Sequence, residues 1–214
     1  MLISINEEDF FNSLWFGFAS GTQTFPRTLK SKDYYLFHIY RIFIGKIGEL
    51  TFLRWLYNSN LLSSEHYNEH LINALSVYYG QSNVDSYDIK IKNYTIDIKT
   101  VPSFFYKYLI IPQDQWSNQK KDFYVAVAVN FSIEEFTKFC ENLSICSSKK
   151  DIISSIQTVK SDTNAKIIGF LPRNSSLWKQ YTNDKYCPEK KCVRVELSLL
   201  EPLENFIETV TKKV

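Results

Sequence analysis

Residues 87–100, YDIKIKNYTIDIKT, alternate isoleucines with charged or polar residues on either side of a polar turn near residues 92–94. Alternation of period two marks a β-strand with one buried and one open face. Two such runs around a short turn predict a β-hairpin. With Asn93 and Tyr94 as a two-residue turn, Ile91 lies opposite Ile96, Lys90 opposite Asp97, Ile89 opposite Ile98, and Asp88 opposite Lys99. Opposed residues share a face. Four isoleucines then cover one face, which belongs against a helix. Asp88, Lys90, Lys92, Thr95, Asp97 and Lys99 cover the other. That charged face admits two readings. It is a solvated surface whose ion pairs are each worth ~0–1 kcal/mol, or a site where acids and an amine converge on a divalent cation.

Three features favour convergence. Asp97-Ile98-Lys99 sets a carboxylate and an ammonium on one face of a strand, two residues apart. A hard cation such as Mg²⁺ takes carboxylate oxygens and keeps several waters, and a neighbouring lysine can hold the attacking water. Asp88 supplies a second acid from the adjacent strand. Glu49, in GKIGELTF, stands on a predicted helix leading into the sheet and completes a set of three. Taken alone, Glu49 also reads as an ordinary half-exposed helix residue.

Helical Glu49, Asp88 opening an apolar strand, a short turn and Asp97-x-Lys99 together resemble the PD-(D/E)XK nuclease superfamily, the fold of many restriction endonucleases. The resemblance covers about residues 45–130. It implies a restriction-endonuclease-like α/β core, a central mixed β-sheet flanked by helices. It also implies Mg²⁺-dependent (or Mn²⁺-dependent) hydrolysis of phosphodiester bonds. Asp88, Asp97 and Glu49 would be metal ligands, with the Ile98 carbonyl able to face the metal, and Lys99 would position the nucleophilic water. Tyr87, not proline, precedes Asp88. Asp85, in VDSYD, is a rival for the first acid. Asp88 is preferred because Ile89 and Ile91 continue the strand directly from it.

The 214 residues suit a single domain with N-terminal helical and C-terminal αβ elaborations around the core. Apolar residues at 44% and charged ones at 22% describe a soluble globular chain. A net charge of +2 gives no strong field, so any nucleic-acid surface must arise from local clusters. No run approaches a membrane span, and the acidic start MLISINEEDF carries no export signal. Four cysteines without such a signal point to reduced thiols and a cytoplasmic location.

Ser4 with Glu7 has capping-box spacing for a helix over residues 5–18. Apolar periodicity predicts helix over 33–58, kinked or divided at Gly45 and Gly48, and SSEHYNEHLINALSVYY reads as another helix. Strands are expected at 108–111, 122–130, 165–172 and 192–197, and helices at 132–141 and 149–159. Ser198 with Glu201 is a second capping box, for a terminal helix to about Val210.

Other candidates carry both a functional and a plain reading. Arg27, Lys30 and Lys32 form a basic loop suited to phosphate contacts, or solvated surface. Gln113 and Gln115 can bond substrate, or open a helix. His66 and His70, at i and i+4, have zinc-ligand spacing but no evident third ligand. Cys140, Cys146, Cys187 and Cys192 make a Cys₄ site or, more simply, buried thiols. Tyr78, Tyr79, Tyr106 and Tyr108 can contact bases, or fill the core. The expectation is a Mg²⁺-dependent DNA endonuclease of type II-like restriction character, with a homodimer for double-strand cleavage. Two alternatives stay open: a structure-selective repair nuclease or RNase of the same fold, and a non-catalytic nucleic-acid-binding module.

Overall fold

The computed structural model describes residues 2–24, 32–76, 87–102, 106–118, 121–142, 163–184 and 187–212. Its elements run β1 (Leu2–Ser4), α1 (Glu7–Thr24), α2 (Lys32–Asn58), α3 (Ser64–Leu75), β2 (Ile89–Ile91), β3 (Tyr94–Val101), β4 (Tyr108–Pro112), α4 (Gln113–Asn118), β5 (Phe123–Val129), α5 (Ile133–Asn142), β6 (Asn164–Pro172), β7 (Lys179–Asp184), β8 (Cys187–Glu196) and α6 (Leu203–Thr211). The architecture is α/β, with a mixed five-stranded sheet in the order β1-β6-β5-β3-β2. β3 and β5 are parallel, and the other neighbours antiparallel. β4, β8 and β7 form a second, antiparallel sheet. The strands expected at 108–111 and 192–197 therefore pair with each other and not with the central sheet. Among the described residues no helix is long and apolar enough to cross a membrane.

β5 explains the layering. All its residues are buried. Phe123, Val125, Val127 and Val129 face a core shared with α1, α2, α5 and α6. Tyr124, Ala126 and Ala128 face a second core shared with Leu109, Ile111 and Val195 of the smaller sheet. A strand buried on both faces reads as a continuous apolar run, as DFYVAVAVN does. The isoleucines of β2 and β3 all point into the helical core, as expected of the hairpin.

The hairpin register differs from the expected one. Ile89 pairs with Ile96, and Lys90 with Thr95, so Lys92 and Asn93 form the turn. Lys92 adopts φ 52°, and its ammonium donates to the Val210 carbonyl at 2.8 Å, tying the turn to α6. Tyr94 is thereby placed on the strand, where its ring meets Phe123 at 5.3 Å. A shift of two keeps every side chain on its face, but one step beyond the last pair it brings Asp88 across from Asp97 instead of Lys99.

α2 is continuous over 27 residues and is not divided at its glycines. Buried residues recur around the helix, including Phe43, Ile47, Leu50, Phe52, Leu53 and Trp55, as suits a helix packed on several sides. Gly48 serves close approach: a Cβ there would lie 2.1 Å from Thr100 Oγ1 and 3.2 Å from Thr100 Cβ. Gly45 has open space around it.

Helix starts also differ. Ser4 belongs to β1, and Asn6 Oδ1 accepts from the Asp9 amide at 2.7 Å as the cap of α1. Glu201 bridges Phe170 through backbone bonds of 2.8 and 3.0 Å, and Pro202 precedes α6. The helix expected over 149–159 lies outside the described residues.

Gly48→Ala should lower unfolding stability by about 1–3 kcal/mol through overpacking against Thr100. Gly45→Ala should leave it unchanged or raise it by about 0.5–1 kcal/mol through helix propensity. Urea unfolding of both variants checks the contrast, and equal effects would contradict the packing assignment.

Candidate active site

Asp97 lies on the face of β3 turned away from the helical core, directly beside Tyr124 of β5. It is 4% exposed, so the charged face of the hairpin is not solvated at this position. Burying a carboxylate is costly unless it is paired. Two lysines meet it. Lys121 donates to Oδ1 at 3.1 Å, and the Lys99 ammonium stands 2.7 Å from Oδ2. Lys121 is itself buried, at 3% exposure. The cross-strand ion pairs expected from the sequence, Lys90 with Asp97 and Asp88 with Lys99, are replaced by this three-residue group.

The backbone around it is pinned. Asp122 Oδ2 accepts from the Thr95 amide at 2.7 Å and its hydroxyl at 2.8 Å, while the Asp122 amide donates to the Thr95 carbonyl at 2.9 Å. These bonds hold the residue after Lys121 against the start of β3, and so aim Lys121 at Asp97. In the sequence Lys121 directly follows Lys120, as one half of a basic pair. Its partner is 24 residues away, and only the parallel β3–β5 register joins them.

Asp88 is half-buried, and its Oδ2 accepts from the Ile98 amide at 2.6 Å. Burial raises its carboxyl above the ordinary carboxylate range, and the negative charge of Asp97 raises it further. The Ile98 amide, Lys99 and Lys46 act in the opposite direction. Two acids held together share such a penalty on ionisation. The Tyr124 hydroxyl is pushed up to about 12, by burial first and then by Asp97.

Glu49 stands on α2 in an ion pair with Lys46, and Lys46 also lies 4.4 Å over the Phe16 ring. Glu49 and Asp88 line one cavity of about 690 Å³, with Lys46, His66, Glu69, His70, Lys90 and Lys92 around it. Among the described residues, no three or more His, Cys, Asp or Glu side chains are grouped as a metal-holding set. The cluster of Glu49 with Asp88 and Asp97 expected from the sequence is thus reduced to the Asp88–Asp97 pair, with Glu49 engaged by Lys46. Two carboxylates still suit Mg²⁺, which is held by one or two such groups plus water and substrate phosphate. The fit rests on Asp97 Oδ2, a buried oxygen with no hydrogen-bond partner although Lys99 lies beside it.

The remaining candidates fall elsewhere. Gln113 opens α4 and donates to Ser117 Oγ at 3.0 Å, while Gln115 is exposed on the same helix. His66 Nδ1 is 3.0 Å from Ser63 Oγ at the α3 cap, and His70 Nε2 is 3.0 Å from the Lys90 carbonyl, so these rings join α3 to its cap and to β2. Lys32 begins α2. Cys140 lies on α5 and Cys192 on β8. Arg27, Lys30, Tyr78, Tyr79, Asp85 and Cys146 lie outside the described residues.

Removing Lys121 leaves Asp97 buried with one partner, so Lys121→Met should destabilise the fold by about 3 kcal/mol in urea unfolding; a neutral effect would contradict the ion-pair assignment. Because the raised carboxyl of Asp88 penalises the charged form in the folded state, stability falls as pH rises from the unfolded carboxylate value through the raised one. Asp88→Asn should therefore raise the melting temperature at about pH 8, with the gain vanishing towards about pH 3. A gain independent of pH would contradict it.

No protein-family model, curated protein or solved structure matches the chain.

Proposed function

We propose that the chain is a Mg²⁺-dependent nuclease that hydrolyses phosphodiester bonds of DNA, with Asp88, Asp97 and Lys99 as its catalytic group. The observation that carries this reading is the buried Asp97 carboxylate, clamped at Oδ1 by Lys121 and flanked by Lys99 and Asp88. A carboxyl whose ionisation is shifted by burial and by a neighbouring charge, as that of Asp88 is, is a mark of functional sites. A restriction-endonuclease-like core, a type II-like restriction role and a homodimer for double-strand cleavage belong to the same proposal.

Asp88 and Asp97 Oδ2 would hold the ion, with the Ile98 carbonyl as a further oxygen. When bound, Mg²⁺ supplies Lewis-acid polarisation of the phosphate and eases deprotonation of water. Lys121 fixes the Asp97 carboxylate in rotation by holding Oδ1, which leaves Oδ2 turned to Lys99. Lys99 turns from Oδ2 to the attacking water and to the negative charge developing on the phosphate. Glu49, beside Lys46 on the cavity wall, steers the approach to Asp88 and is an outer acid in this scheme.

One observation favours a second reading. Asp97 is neutralised by its two lysines without any other cation, so the group can also be a structural ion triad in a non-catalytic module. Cleavage separates the two. Supercoiled plasmid incubated with Mg²⁺ should be nicked or linearised, and EDTA should stop it. Asp97→Ala should abolish turnover, and Lys99→Ala should slow it by about 10²–10³-fold. Branched DNA and RNA run alongside test the target. Unchanged rates in both variants, or no metal-dependent cleavage of any substrate, would leave the structural triad.

A further inference from the structure

The smaller sheet has one face in the core, through Leu109, Ile111, Val193 and Val195. Its register puts Ile110, Arg194 and Lys179 side by side on the opposite face, and Tyr108 and Tyr181 on that face as well. Arg194 is inserted between the two tyrosines. Its guanidinium carbon lies 4.2 Å from the Tyr108 ring centroid and 3.4 Å from that of Tyr181. Both distances are within cation–π range. Lys107 lies 5.3 Å over the Tyr108 ring and its side chain is 65% exposed; Lys179 is exposed at the other edge. The acid on this face, Glu196, is 3.7 Å from Lys107.

Across three strands the face therefore offers two aromatic rings, a planar cation between them and a lysine at each side. The rings and guanidinium plane match flat π systems, and the lysines match a chain of negative charges. A polynucleotide with unpaired bases carries both. Base stacking on aromatic side chains is tolerant of sequence, and a cationic groove tracks the backbone. A duplex offers its phosphates but hides its base faces, and an acidic protein has charge without a regular series of flat rings. We propose that the outer face of the smaller sheet binds single-stranded nucleic acid, stacking bases on Tyr108 and Tyr181 while Lys107 and Lys179 meet phosphates. None of these residues belongs to the Asp88–Asp97 group.

The test is fluorescence anisotropy of the full chain with labelled oligothymidylate of about 16 nucleotides and an abasic strand of equal charge. EDTA is present throughout, so binding is read whether or not the Asp97 group cleaves. Oligothymidylate should bind about tenfold more tightly than the abasic strand. Tyr181→Ala and Tyr108→Ala should each weaken it about tenfold without altering abasic-strand binding. Tyr181→Phe and Tyr108→Phe should retain it and show that loss in the alanine variants is loss of the ring. Equal binding of the abasic strand, or unchanged affinity in alanine variants with wild-type circular dichroism, would overturn the proposal.

Discussion

A carboxylate inside a sheet has to be neutralised, and Asp97 is met by two ammonium groups at once. One comes from its own strand and one from the segment leading into the parallel neighbour. That pairing depends on the β3–β5 register, which the Thr95–Asp122 bonds secure. Burial, and after it the charge of Asp97, make Asp88 harder to ionise. The arrangement places negative charge where it is costly, and the surrounding lysines offset that cost. It is on this placement that the proposed catalytic role of the group rests.

α2 supports this arrangement from the opposite face. Gly48 lets the helix backbone approach β3 at Thr100, three residues beyond Asp97. The same helix presents Lys46 and Glu49 to the cavity that reaches Asp88. Helix and hairpin are thus joined by close packing at one point and by the cavity lining at another. The smaller sheet closes the other face of β5, and on its own opposite face Arg194 lies between two half-buried tyrosines.

Much of the fold was legible because it rests on local periodicity. The alternation in residues 87–100 identified the hairpin and its faces, and the apolar run at 122–130 identified a strand buried on both sides. What was missed depended on partners distant in sequence. β7, KQYTND, has no apolar alternation and is a strand because β8 pairs with it. Gly48 suggested a kink, but its effect is set by Thr100, on a strand met only after folding. In the site, Asp88, Asp97 and Lys99 were found from spacing, and the structure brings them together. Their relation was wrong by two residues of register, because the turn position was fixed by Lys92 reaching α6 and Tyr94 reaching Phe123. Lys121 gave no signal: nothing local distinguishes a buried lysine from the solvated Lys-Lys pair that KK suggests. Glu49 stands on the expected helix and lines the same cavity as Asp88, but its ion pair is with Lys46, which spacing on the helix could have suggested.

The central claim is that Asp88 and Asp97 Oδ2 form a cation-binding pair. Anomalous diffraction from crystals soaked in Mn²⁺ tests it most directly. An ion at about 2.0–2.2 Å from Asp97 Oδ2 and an Asp88 oxygen, with the Lys99 ammonium displaced from Oδ2 and Lys121 still on Oδ1, is the expected result. Absence of Mn²⁺ from both carboxylates, with Lys99 still against Oδ2, would contradict it and leave the group as a structural ion triad.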